Sequence, residues 1–203
     1  MPDHPYTPVV DGKSVLASPA RAYAGEGIPY DLLIGSNEDE WYMYVDADPQ
    51  GLAKDLAAIA PAARGLLEAR AAREPDVRTG RDKAVTLVNM VCPSYLMAGA
   101  ARSAGHNAWV YQFTRVRPGP GGVALRSYHG AEIPYVFDTH DDWLAHAAAD
   151  DVLTDRMIDY WSSFARYGDP NGPHKGVWPL FDPEDPRAMK LGDQMAPMAA
   201  ADY

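Results

Sequence analysis

Only one cysteine, Cys92, stands in the 203 residues. An internal disulfide is therefore impossible, a zinc site built from cysteines is excluded, and nothing in the cysteine count supports an oxidising compartment. Positive charge is scarce too: 18 Lys and Arg face 28 Asp and Glu, a formal net charge of -10. Nucleic acid and anionic membrane surfaces need Lys/Arg patches, and no basic run clusters here, so neither is an expected partner. No stretch reads as approaching the ~18 apolar residues of a transmembrane helix. The start, MPDHPYTPVVDGKSVL, lacks the basic and apolar regions of a signal peptide and reads as the middle of a domain. Together with the single cysteine this favours a cytoplasmic location. Repeats and low-complexity segments are absent as well.

What remains is the composition of a globular protein, 47% hydrophobic and 23% charged, long enough for one large domain or two small ones. Residues 5–30 read as loop-rich. The apolar run Leu32 to Ile34, ending at Gly35, has the pattern of a buried parallel strand that enters a loop. Residues 49–73 predict two short helices split near Pro61, and DKAVTLVNMVCPSYLMAGAARSAG predicts two more, divided by Pro93 and stopped at Gly105. NAWVYQFTRV is a second strand, rich in β-branched and aromatic residues. RPGPGGVALRSYHG reads as a long flexible loop that leads to His129. The clearest helix is DDVLTDRMIDYWSSFARYG, with an apolar stripe of Leu153, Met157, Trp161, Phe164 and Ala165, closed at Gly168. A short last strand is expected near Met189–Leu191. This order predicts an α/β fold with a mostly parallel sheet flanked by helices, whose chemistry sits in loops at the carboxyl ends of strands.

Two such loops carry candidates: SNEDE after the first strand and SYHG after the second. Nucleophilic hydrolysis needs an attacking serine, a histidine that takes its proton, and a carboxylate that holds the histidine's tautomer. In the chain order Ser, Asp/Glu, His, the residues Glu40 and His129 fit the second and third places. Other readings stand beside this one. A lone loop histidine is usually exposed or structural, and Glu38, Asp39 and Glu40 together also fit a solvated acidic loop. Glu132 also fits a cap or an ion pair. His140, Asp141, Asp142 and His146 fall in an acidic stretch with no recognised ligand motif. His4, His106 and His174 read as surface, and Cys92 as a small buried hydrophobe. Trp41, Tyr42, Tyr44 and Trp143 fit either the lining of an ester-binding gorge or plain core.

Four blocks, PVVDGKSVLASP, GSNEDE, YHGAEIPYVF and WSSFARYGDPNG with the following WPLF, resemble type-B carboxylesterases, in that family's order and over nearly the whole chain. The resemblance implies an α/β-hydrolase in which Glu40 is the triad acid, His129 the general base and Glu132 a supporting carboxylate. It implies a small-molecule ester substrate, and neither a metal nor an organic cofactor. Two departures stand out: Trp41 follows the acid where the family has glycine, and TLVNM lacks the Asp expected after its threonine.

The larger departure is the nucleophile. No G-x-S-x-G occurs, and of the serines only Ser14, Ser18 and Ser36 precede Glu40. An HGG-type oxyanion segment is lacking too. The expectation is that residues 1–203 form the C-terminal part of one α/β-hydrolase domain, inactive alone, with the serine on an N-terminal part or a separate chain. Such a piece would expose a sheet edge and apolar faces and would aggregate or bind a partner. A non-catalytic binding or scaffold protein of the same fold is the alternative.

Overall fold

The structure, a computed structural model, describes residues 9–25, 29–172 and 177–203. Alternation in the strands decides its layering. β1 (Leu32–Asn37) and β2 (Ala108–Phe113) pair in parallel from Leu32 opposite Ala108 to Asn37 opposite Phe113. β3 (Arg187–Leu191) runs parallel to β2, and β4 (Ala196–Ala199) returns antiparallel to β3, giving the order β1-β2-β3-β4. Side chains alternate across this sheet. Ala108, Val110 and Ala188 join Tyr23, Ala98, Ala101 and Phe181 on one face. Trp109, Phe113, Met189 and Leu191 join Tyr135, Leu153, Met157, Tyr160 and Trp178 on the other. Both faces of β2 are thus covered, which explains why it is apolar but for the buried Gln112.

Helices supply the covering layers. α1 (Pro19–Ala24) lies in the segment expected to be loop. α2 (Pro49–Ala57) and α3 (Pro61–Ala71) part at Pro61 as the sequence predicts, and they pack with α4 (Val77–Thr86) around Leu56, Leu67 and Ala84. α5 (Cys92–Ser103) backs β1 and β2. α6 (Gly119–Leu125), α7 (Ile133–Phe137) and α8 (Ala148–Tyr167) follow β2. A buried ion pair ties α8 to the end of β2: Arg115 Nε donates to Asp150 Oδ1 at 2.7 Å, and Tyr135 Oη donates to the same oxygen at 2.6 Å. These donors, with the Ala147 N–H, hold Asp150 down to about 2 against the opposing effect of burial.

Several expectations are corrected. Gly35 does not end β1, because it lies where the Tyr111 ring crosses the strand; a Cβ at Gly35 would meet that ring at 2.4 Å. Gly35→Ala should therefore destabilise the fold by ~1–3 kcal/mol, read as a lowered denaturation midpoint; an unchanged midpoint would contradict the close packing.

Pro93 does not divide two helices. The turn Leu87–Val91 before it is a π-helix, and α4, this turn and α5 run on without a break. Proline lacks the N–H that an α-turn requires, and a wider turn at that point absorbs it. The continuous helix also overturns the reading that no apolar run nears membrane-spanning length. Val77–Ser103 is long and apolar enough by length and composition. One side of it packs against α1, β1 and β2, while Leu96 and Cys92 stay exposed on the other.

The flexible loop after β2 contains α6, a Gly/Pro-rich helix that composition hides. β4 follows β3 and carries no β-branched signal. In α8, Ala165 is exposed and Tyr160 takes its place in the buried stripe. Gly168 closes α8 at φ +70°, as its sequence position implies. Cys92 is exposed rather than buried, on the outer side of α5. His106 is half-buried against the Tyr23 ring, while His4 and His174 lie outside the described residues.

Candidate active site

β1 ends in Asn37, and the turn after it carries Glu40. Two backbone bonds fasten this turn: Glu38 N–H donates to Phe113 O at 2.8 Å, and Asp39 N–H donates to Ser127 O at 3.1 Å. Ser127 in turn donates its Oγ–H to Phe113 O at 2.8 Å. The end of β1, the end of β2 and the SYHG segment are thereby stitched together. Gly130 explains the His-Gly pair, since its φ of +87° strains any residue with a Cβ. The chain reverses there and leaves His129 at the tip of the turn.

The outcome is a direct contact across 89 residues of sequence. His129 Nδ1 lies 2.6 Å from Glu40 Oε2. Facing a carboxylate, Nδ1 carries the proton, so in the neutral ring Nε2 keeps its lone pair free. Nε2 has no partner among the described residues, and the His129 side chain is 56% exposed while that of Glu40 is 6%. The acid is enclosed and the base presents its second nitrogen outward. Burial pushes the Glu40 carboxyl above its ordinary range, against the pull of the Asn37 N–H and of His129; the nearby Glu132 charge adds to the push.

Glu132 does not touch His129. It accepts the Asn37 Nδ2–H at 2.5 Å, and the same nitrogen donates to Tyr128 O at 2.7 Å. The Asn37 backbone N–H donates to Glu40 Oε1 at 2.7 Å. Asn37 therefore links the acid, the supporting carboxylate and the backbone before the base, a role the sequence reading missed. A signal was present: Asn-x-x-Glu at the start of a turn is the spacing in which a glutamate reaches back to the N–H three residues earlier.

The neighbouring acids are taken up otherwise. Asp39 pairs with Lys83 Nζ at 3.1 Å and with Arg126 at 3.4 Å, which separates it from His129. Lys83 Nζ also donates to Glu38 O at 2.8 Å. Beside it on α4, Asp82 is fully buried and accepts the Trp41 N–H at 2.8 Å and the Thr86 hydroxyl at 3.2 Å. Its Oδ2 has no partner among the described residues. Burial first, and then the Asp39 charge, push Asp82 up to about 7, with Lys83 opposing.

The aromatic candidates divide. Trp41 stacks beside His129, Tyr42 lies between the guanidinium groups of Arg78 and Arg126, and Tyr44 and Trp143 are exposed. The acidic histidine stretch is used locally: His140 Nε2 meets Thr154 Oγ1 and His146 Nε2 meets Asp151 Oδ1, each at 2.7 Å. Among the described residues no three His, Cys, Asp or Glu side chains converge as a metal site.

The family model for the carboxylesterase family matches residues 62–202. The chain belongs to the carboxylesterase family. A phenmedipham hydrolase from Pseudarthrobacter oxydans is 26% identical over 208 residues, covering 96% of this chain and 42% of that protein. A human cocaine esterase is 36% identical over 63 residues, 30% of this chain and 11% of that one. Among solved structures, the Geobacillus stearothermophilus carboxylesterase EST55 at pH 6.2 superposes with a TM-score of 0.79 at 25% identity, over 98% of this chain and 44% of that one. The fold is that of an α/β-hydrolase carboxylesterase. The chain spans less than half the length of the phenmedipham hydrolase and of the Geobacillus enzyme.

Proposed function

We propose that this carboxylesterase-family chain supplies the acid and the base of a serine carboxylesterase. The 2.6 Å contact between Glu40 and His129 carries the reading. His129 Nε2 takes the proton of a serine hydroxyl as it attacks the ester carbonyl, and gives it to the departing alcohol oxygen. It then deprotonates the water that cleaves the acyl-enzyme. Glu40 holds Nδ1–H and offsets the charge of the imidazolium. Asn37 and Glu132 keep Glu40 aimed. The serine and the oxyanion donors lie outside residues 1–203, on an N-terminal part of the same domain or on a second chain. Two observations support that placement: no G-x-S-x-G occurs in this sequence, and Nε2 of the largely exposed His129 has no partner among the described residues.

In the native product purified from its source cell, Glu40→Gln should lower kcat for p-nitrophenyl acetate about 10⁴-fold, because a neutral amide holds the wrong tautomer. Unchanged turnover would remove Glu40 from the mechanism. The same lack of a G-x-S-x-G serine favours a second reading, a non-catalytic binding protein, for which the native product would show no ester hydrolysis at all.

A further inference from the structure

Trp41 directly follows the acid, and its ring lies against the base. The indole and imidazole rings stand 6.3 Å apart between centroids with planes 12° from parallel, an offset stack. The backbone of Trp41 is pinned on both sides. Its N–H donates to Asp82 Oδ1 at 2.8 Å, and its carbonyl accepts the N–H groups of Tyr44 at 2.8 Å and Val45 at 3.0 Å. The Tyr44 ring meets the indole edge-on at 5.9 Å. Asp82 is itself held by Thr86 and sits on α4, inside the packed body of the protein. The backbone that carries the indole is therefore fixed and the Tyr44 ring packs on the indole, whose buried Nε1 has no hydrogen-bond partner among the described residues.

The His129 ring needs a wall. Its one hydrogen bond among the described residues, to Glu40, fixes a direction and leaves rotation about that direction open. A flat surface parallel to the ring removes that freedom. We propose that Trp41 is a positioning residue that sets the plane of the His129 imidazole, anchored from α4 by Asp82. The proposal rests on the reading of Glu40 and His129 as the acid–base pair.

The test is the steady-state hydrolysis of p-nitrophenyl acetate by the native product carrying Trp41→Ala, Trp41→Leu or Trp41→Phe, with far-UV circular dichroism to verify folding. Misplacing a catalytic group by about 1 Å costs up to ~10²-fold. Trp41→Ala and Trp41→Leu should lower kcat about 10- to 100-fold with KM little changed. Leucine fills the turn without offering a flat face. Trp41→Phe restores a flat ring and should recover most of kcat. Unchanged kcat in the alanine and leucine variants would overturn the proposal. So would an effect confined to KM, which marks a substrate contact, an equal loss in Trp41→Phe, or unfolding of both the alanine and leucine proteins. Glu40→Gln separates the two levels: if that variant alone keeps full turnover, the acid–base reading fails, whereas a Glu40 effect without a Trp41 effect removes only the wall.

Discussion

His129→Ala should lower kcat for ester hydrolysis by the native product about 10⁶-fold, to the residual rate that binding and oxyanion stabilisation alone sustain. Alanine removes both nitrogens, so neither the attacking hydroxyl nor the later water loses its proton to the enzyme. Combining it with Glu40→Gln should add little, because the acid acts only through the base, and members of one catalytic unit are far from additive. The measurement is a double-mutant cycle on kcat. Full additivity of the two losses would mean that Glu40 and His129 act separately, contrary to their 2.6 Å contact. The fold should survive the change, since the His129 side chain is largely open and its backbone turn is set by Gly130.

Asp82→Asn should change how stability depends on pH. Asp82 is raised from 3.8 to about 7, mainly by burial, with Asp39 and the buried Tyr203 phenol near it and Lys83 opposing. The folded state thus keeps a proton that the unfolded chain releases above about pH 4. As pH rises from about 4 to about 7 the unfolded state gains from ionising and the folded state does not, so this carboxyl costs stability progressively. Above about pH 7 it ionises in the fold as well, and the cost levels off. Asparagine has no such titration and still offers an oxygen to the Trp41 N–H. The difference in unfolding free energy should therefore move in favour of Asp82→Asn by ~4 kcal/mol between pH 4 and pH 8. Urea denaturation of both proteins across that range measures it. A difference independent of pH would show that Asp82 is ionised throughout.

The fold class was legible in the order of strands and helices, and the structure brings into contact the two residues, Glu40 and His129, that the sequence blocks single out. GSNEDE puts Glu40 in the turn directly after β1, whereas His129 in YHGAEIPYVF lies beyond α6, and Ser127, bonded to the Asp39 N–H and to Phe113 O, brings the two together. Asn37 escaped notice because its part is a matter of aim: one carboxamide nitrogen reaches both Tyr128 O and Glu132. Trp41 stood out as a departure, yet its ring contact with His129 depends on a backbone bond to α4, 41 residues away. β1 was legible from its apolar run and β2 from its β-branched and aromatic residues, a short strand was expected near Met189–Leu191, and β4, Ala-Pro-Met-Ala, carried no such signal. The misreadings came where tertiary contacts outweigh local preference. Gly35 continues a strand because Tyr111 packs across it, and Pro93 continues a helix because a π-turn precedes it. α6 forms from residues whose propensities argue against a helix, and it is held in place locally: Gly122 sits so close to the Arg117 carbonyl that a Cβ there would lie 1.9 Å from that oxygen.

In the proposed mechanism His129 activates a serine outside these 203 residues. The measurement that meets it most directly is covalent labelling of the native product by a fluorophosphonate ester, followed by intact and peptide mass spectrometry, for the wild type and for His129→Ala. The probe reacts rapidly only with a serine whose proton is taken by a base. One adduct is expected on the wild type, on a serine outside residues 1–203, with its near-complete loss in His129→Ala. An adduct on Ser14, Ser36 or Ser103, or labelling that persists without His129, would contradict it.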